Sequence, residues 1–64
     1  MEPEVLAVFE QVRDNPSYLR RDSAEVLIAD SLVAEGFMEV DHWNDAMEPM
    51  FVLTLAGEEL LRGL

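Results

Sequence analysis

Two hydrophobic rhythms alternate along this chain. Over the first stretch, Val5, Val8, Phe9 and Val12 recur at helical spacing, while Glu10, Gln11, Arg13 and Asp14 point the other way. The pattern predicts a helix over Pro3–Asp14. Pro3 suits the first helical position, and Glu2 and Glu4 are favourable beside the positive helix start. Asn15-Pro16 ends the helix, because a residue before proline is pushed out of helical geometry.

The stretch from Asp22 to Val40 organises the rest. Asp22 is the expected N-cap of a second helix, with Glu25 three positions later at capping-box spacing. Ala24 to Glu35 then reads as a helix that is apolar around most of its circumference. Ile28, Ala29, Leu32 and Val33 form a wide face, and Val26 and Leu27 extend it towards the opposite side. Only Glu25, Asp30, Ser31 and Glu35 are polar. Such a helix is either covered on two sides by its own chain or turns part of its surface to a partner. Gly36 is expected to close it in a left-handed conformation.

Beyond Gly36 the rhythm shortens towards alternation. Phe37 to Trp43 reads as a strand, with Phe37 returning to the core. Met38 and Val40 face one way, Glu39 and Asp41 the other. Asn44 to Pro49 is a polar turn region. Met50 to Leu55 forms the second strand, with Phe51, Leu53 and Leu55 on one side and Met50, Val52 and Thr54 on the other. The two strands should pair as an antiparallel hairpin. Thr54 caps a last helix over Leu55 to Leu64, with Glu58 and Glu59 early, Arg62 late, and Leu60 and Leu61 inward. Ser17 to Arg21 is left as a connector of about one helical turn, with Tyr18 and Leu19 covering the gap between the first two helices. The expected architecture is a single small α+β domain over residues 1–64, in the order α-α-β-β-α.

Composition sharpens this picture. With 64 residues and half of them apolar, the chain has a small core rather than the profile of a disordered segment. It has no cysteine, which excludes disulfides and thiolate metal sites. No apolar run reaches membrane-span length and the start lacks a basic signal segment, so a cytoplasmic protein is expected. Fourteen acidic residues stand against four arginines and no lysine, for a net charge of −10. Such a surface repels a bare phosphate backbone and attracts a basic protein. It also serves plain solubility.

Two segments resemble a known family. Leu32-Val33-Ala34-Glu35-Gly36-Phe37-Met38-Glu39-Val40 resembles the helix-to-wing junction of winged helix-turn-helix proteins. Val52-Leu53-Thr54-Leu55-Ala56-Gly57-Glu58-Glu59-Leu60-Leu61 is similar to the segment that closes the wing in MarR- and PadR-type regulators. The resemblance covers roughly residues 22–62 and implies a winged-helix-like domain whose second helix is the recognition helix and whose hairpin is the wing. The chain departs from that pattern in two ways. Only seven residues separate Asn15 from Ser23, so the helix that precedes the recognition helix in the family is missing or reduced to a turn. Where the family presents polar and basic side chains to DNA, this chain has Glu25, Val26 and Asp30 on the helix, and Asp41, Asp45 and Glu48 on the wing with Trp43 and Met47. The side chains of Glu25, Val26 and Asp30 donate no hydrogen bond to a guanine edge or to a phosphate. In size and charge the chain also resembles small acidic inhibitors of phage and mobile elements, including anti-CRISPR proteins and DNA mimics.

The chemistry-bearing residues are few. Asp41, His42, Asp45 and Glu48 are the one cluster of metal-ligand types, but their spacing matches no established loop, and acidic turns are ordinarily solvated. No nucleophile elbow, phosphate loop or dinucleotide fingerprint is present. The sequence therefore points away from an enzyme, and to no cofactor or metal. The expected function is that of an interaction module that binds a protein with a basic surface, through Glu25, Val26, Asp30, Asp41, Trp43, Asp45, Met47 and Glu48. Trp43 either contacts that partner or folds back onto the hairpin or last helix. Direct nucleic-acid binding and a membrane role are not expected; homodimerisation is left open. The alternative is a small dimeric regulator that binds DNA through Arg13, Arg20 and Arg21. The competing role for Arg20 and Arg21 is local pairing with Asp14, Asp22 or Glu25.

Overall fold

In the computed structural model, which describes residues 1–64, helix α1 spans Pro3–Asp14 and α2 spans Ala24–Ala34. Strand β1 spans Met38–Trp43, β2 spans Pro49–Leu53, and α3 spans Leu55–Arg62. This is the small α+β domain expected, in the order α-α-β-β-α, with β1 and β2 paired antiparallel.

One core joins all five elements. Val8, Phe9 and Val12 from α1 meet Val26, Ala29 and Leu32 from α2, Met38 from β1, Phe51 from β2, Leu61 from α3, and Leu19 from the connector. Phe9, Phe51 and Met38 are essentially without solvent contact. Phe37 packs its ring at 6.1 Å from that of Phe9, in the tilted geometry that aromatic pairs prefer.

Local chemistry explains most of the boundaries. Gly36 takes φ +87°. Its N–H donates to Val33 O at 3.0 Å and that of Phe37 to Leu32 O at 2.9 Å. This pair of hydrogen bonds is the Schellman closure of a helix, which favours glycine at the left-handed position. The Thr54 hydroxyl accepts from Gly57 N–H at 3.2 Å, capping α3, and donates to Gly36 O at 2.6 Å. Thr54 thus ties the start of α3 to the end of α2.

Four expectations need correction. The cap of α2 is Ser23, whose Oγ accepts from Val26 N–H at 3.3 Å, while Asp22 instead takes Arg20 at 2.9 Å. The chain enters helical geometry one residue later than the capping-box spacing implied, and this moves Glu25 off the position from which a capping box closes. Ser17 to Arg21 is not a helical turn: Tyr18 bridges Met50 in antiparallel fashion and Leu19 N–H donates to Pro49 O at 3.1 Å. Burying Leu19 draws this segment along the free edge of β2. The second strand stops at Leu53 rather than Leu55, since Thr54 already belongs to the helix cap, and Leu55 is exposed. Finally, Val26 lies in the core at 7% exposure, and it is Leu27, at 71%, that faces solvent.

Candidate functional site

The hairpin end is the most chemically distinctive surface. Pairing runs from Val40↔Phe51 to His42↔Met50 and Trp43↔Pro49, which leaves Asp41 unpaired in a β-bulge. The bulge disrupts the ladder locally, and β1 is exposed from Asp41 through Trp43. The loop beyond is organised by Asn44. Its side-chain oxygen accepts from Glu48 N–H at 2.9 Å, and its amide donates to the Glu48 carboxylate at 2.9 Å. Asn44 O accepts from Met47 N–H at 3.0 Å, and Met47 adopts φ +60°. The loop therefore holds its shape by side-chain bonding, and it displays Met47 rather than burying it.

Trp43 is 51% exposed and Met47 54%. Trp43 therefore keeps about half of its surface open to solvent at the end of the hairpin. Large apolar side chains on an otherwise polar loop are the anchor type found at protein contacts. Asp45 is exposed and free of any ion pair. Glu48 is half-buried and bonded within the loop, so it shapes the surface more than it reaches out from it.

Beside the loop lies a side-chain chain that the sequence did not reveal. Tyr18 OH lies 2.7 Å from His42 Nε2, and His42 Nδ1 lies 2.7 Å from the Asp41 carboxylate. The Tyr18 and His42 rings meet edge-on at 5.3 Å. In the neutral imidazole, Nδ1–H donates to Asp41 and Nε2 accepts from Tyr18. The contact spans 24 positions of sequence, and it exists because Tyr18 and His42 both pair with Met50, on its two sides. Asp41, His42, Asp45 and Glu48 are thus not gathered into a ligand set: two of them bond each other and Glu48 bonds Asn44.

Compared with family models, with curated proteins and with solved structures, the chain finds no match. Its function is therefore read from its own residues.

The eight residues expected to bind a partner fall into two groups. Asp41, Trp43, Asp45, Met47 and Glu48 share the end of the hairpin, whereas Glu25, Val26 and Asp30 belong to α2. Glu25 and Asp30 are exposed; Val26, buried under the helix, cannot reach a partner. Leu27, placed with Val26 towards the outer side by its spacing but left out of the partner-binding set, is the one of the two that is exposed, because a helix apolar all round does not reveal which of them faces inward.

Two of the four arginines are occupied by their own neighbours. Arg13 makes two 2.7 Å bonds to Asp14, with Glu10 at 3.9 Å. The Asp14 bond raises the Arg13 pKa above its ordinary value and lowers that of Asp14 in turn. Arg20 bonds Asp22, whereas Arg21 forms no ion pair. Only four of the fourteen carboxylates, Glu10, Asp14, Asp22 and Asp41, have an arginine or histidine partner. The larger surface depression, about 490 Å³, is lined by Arg13, Glu58, Leu61 and Arg62, away from both groups. No helix is long and apolar enough to cross a membrane.

Proposed function

We propose that this chain is a non-enzymatic interaction module of winged-helix-like design. It acts in the cytoplasm as a small acidic inhibitor or regulator of a basic nucleic-acid-binding protein, in the manner of DNA mimics and anti-CRISPR proteins. The observation that carries this reading is the exposure of Trp43 and Met47 at a hairpin end beside two exposed carboxylates, Asp45 with no ion pair and Asp41 bonded only to His42. The carboxylates steer a basic surface in, and the two apolar side chains lose water on contact. The alternative, DNA binding through Arg13, Arg20 and Arg21, is disfavoured because two of these guanidiniums are already neutralised by adjacent carboxylates on a chain of net charge −10.

The test is capture from host lysate with and without excess duplex DNA. A nucleic-acid-binding protein should be retained, and duplex should displace it. Reversing Asp41 and Asp45 to arginine should slow its association, and the effect should shrink in high salt. Binding of the chain itself to labelled duplex at low salt, or capture indifferent to both DNA and charge reversal, overturns the proposal.

A further inference from the structure

The outer face of α2 is unlike the solvent face of an ordinary amphipathic helix, which carries charge. Val26, Ala29 and Leu32 point into the core. The opposite side presents Ala24, Leu27, Ser31 and Ala34, all exposed, at spacings of three, four and three residues. Leu27 stands at the centre with 71% of its surface open. The three neighbours are small, so a second helix can approach to about 8 Å. At ~100° per residue, Asp30 lies about 60° to one side of Leu27 and Glu35 about 80° to the other. Both are exposed and neither has an ion pair. Helix α2 carries no basic residue.

We infer that this face is a second docking surface, and that its occupant is a cationic amphipathic helix of a partner protein. A bulky apolar side chain of that helix would cover Leu27, between lysines or arginines that meet Asp30 and Glu35. The charge pattern decides between occupants. An apolar centre flanked by carboxylates on both sides complements an apolar stripe flanked by cations. A second copy of this chain fits poorly. A two-fold antiparallel pairing across Leu27 and Ser31 would set the two Asp30 carboxylates on the same flank close to the axis, between chains that each carry −10. The inference rests on the proposed preference for a basic partner, but it assigns a surface separate from the hairpin.

The test uses two synthetic peptides of identical composition, leucine and lysine only. One has the leucines arranged on a single helical face, and the other has them scrambled. The amphipathic peptide should bind the intact chain and shift the amide resonances of Ala24, Leu27, Ser31 and Ala34. Leu27→Ala should weaken it by about tenfold or more, as expected for losing a covered leucine, and leave the weaker binding of the scrambled peptide unchanged. Asp30→Asn with Glu35→Gln should weaken both peptides. The unliganded Leu27→Ala chain should keep the native amide spectrum, since the residue is exposed. Equal binding of both peptides, resonance shifts confined to the hairpin, or a Leu27-dependent dimer in sedimentation would each overturn the inference. Reversing Asp41 and Asp45 leaves the apolar contact at Leu27 in place, so the Leu27→Ala loss, read against the scrambled peptide, distinguishes failure of this surface from failure of the hairpin.

Discussion

Gly57→Ala sets two effects of opposite sign against each other. Gly57 is buried in the first turn of α3. In a helix, alanine is favoured over glycine by about 1 kcal/mol, so propensity alone predicts a more stable protein. The packing predicts the reverse. A Cβ at this position would fall inside the contact radius of the Phe37 carbonyl oxygen, 3.1 Å from its carbon and 3.5 Å from its Cα. All three atoms are backbone, so no side chain can swing aside. Relief requires α3 to retreat by roughly 1 Å from the start of β1. That retreat stretches the 3.1 Å bond from Thr54 N–H to the same Phe37 oxygen and the 2.6 Å bond from Thr54 to Gly36 O. It also lifts Leu61 from the core. Overpacking of this kind costs about 1–3 kcal/mol, and a weakened hydrogen bond adds about 0.5–1.5 kcal/mol. Against a gain near 1 kcal/mol, the net should be a loss of about 0.5–3.5 kcal/mol, a large share of what a domain of this size has at the upper end. Urea unfolding is the assay. With a slope near 1 kcal/mol/M, the midpoint should fall by about 0.5–3.5 M. Gly63→Ala is the control: φ there is −83° and the nearest atom to a new Cβ is 3.6 Å away, so its midpoint should stay within about 0.5 M. A Gly57→Ala midpoint at or above that of the parent refutes the close approach.

Other perturbations separate the remaining contributions. Gly36→Ala places a side chain in open space but at φ +87°, so it should lose about 1–2 kcal/mol from backbone strain alone, measurable as a lower urea midpoint, with Gly36→Asn milder. Thr54→Ala removes both the cap on Gly57 and the bond to Gly36 O. A loss of about 1–2 kcal/mol is expected, and Thr54→Ser should recover most of it in thermal melts. The Asp14 carboxyl is held below its ordinary pKa, chiefly by its bonds to Arg13. A depressed folded-state pKa contributes stability that is present above the unfolded value and lost as pH falls through the folded one. The difference between the parent and Asp14→Asn should therefore shrink as unfolding is followed from neutral pH to below that titration.

The fold was legible where local chemistry decides. Pro3, Asn15-Pro16, Gly36 and Thr54 mark element ends through their own backbone or side-chain preferences, and each stands where those preferences put it. Apolar spacing located α1 and the hairpin for the same reason. Less of the candidate site was legible. Asp41 and Asp45 were placed at the surface because carboxylates in a turn-rich stretch are ordinarily solvated, whereas the sequence left Trp43 open between two roles.

What remained depends on which side of an element meets the core, and neighbours decide that. A helix apolar all round gives no inward direction, so the exchange of Val26 for Leu27 as the outward residue came only from packing α2 against α1 and β1. The bulge at Asp41 and the bridge from Tyr18 to Met50 set the Tyr18–His42–Asp41 chain, and both are matters of register between segments distant in sequence. By itself the sequence determined the elements, their order and the acidic character of the surface, because these follow from residue type and spacing. Only the tertiary structure decided which apolar side chains remain outside, because burial is a property of the assembled neighbours and not of the residue.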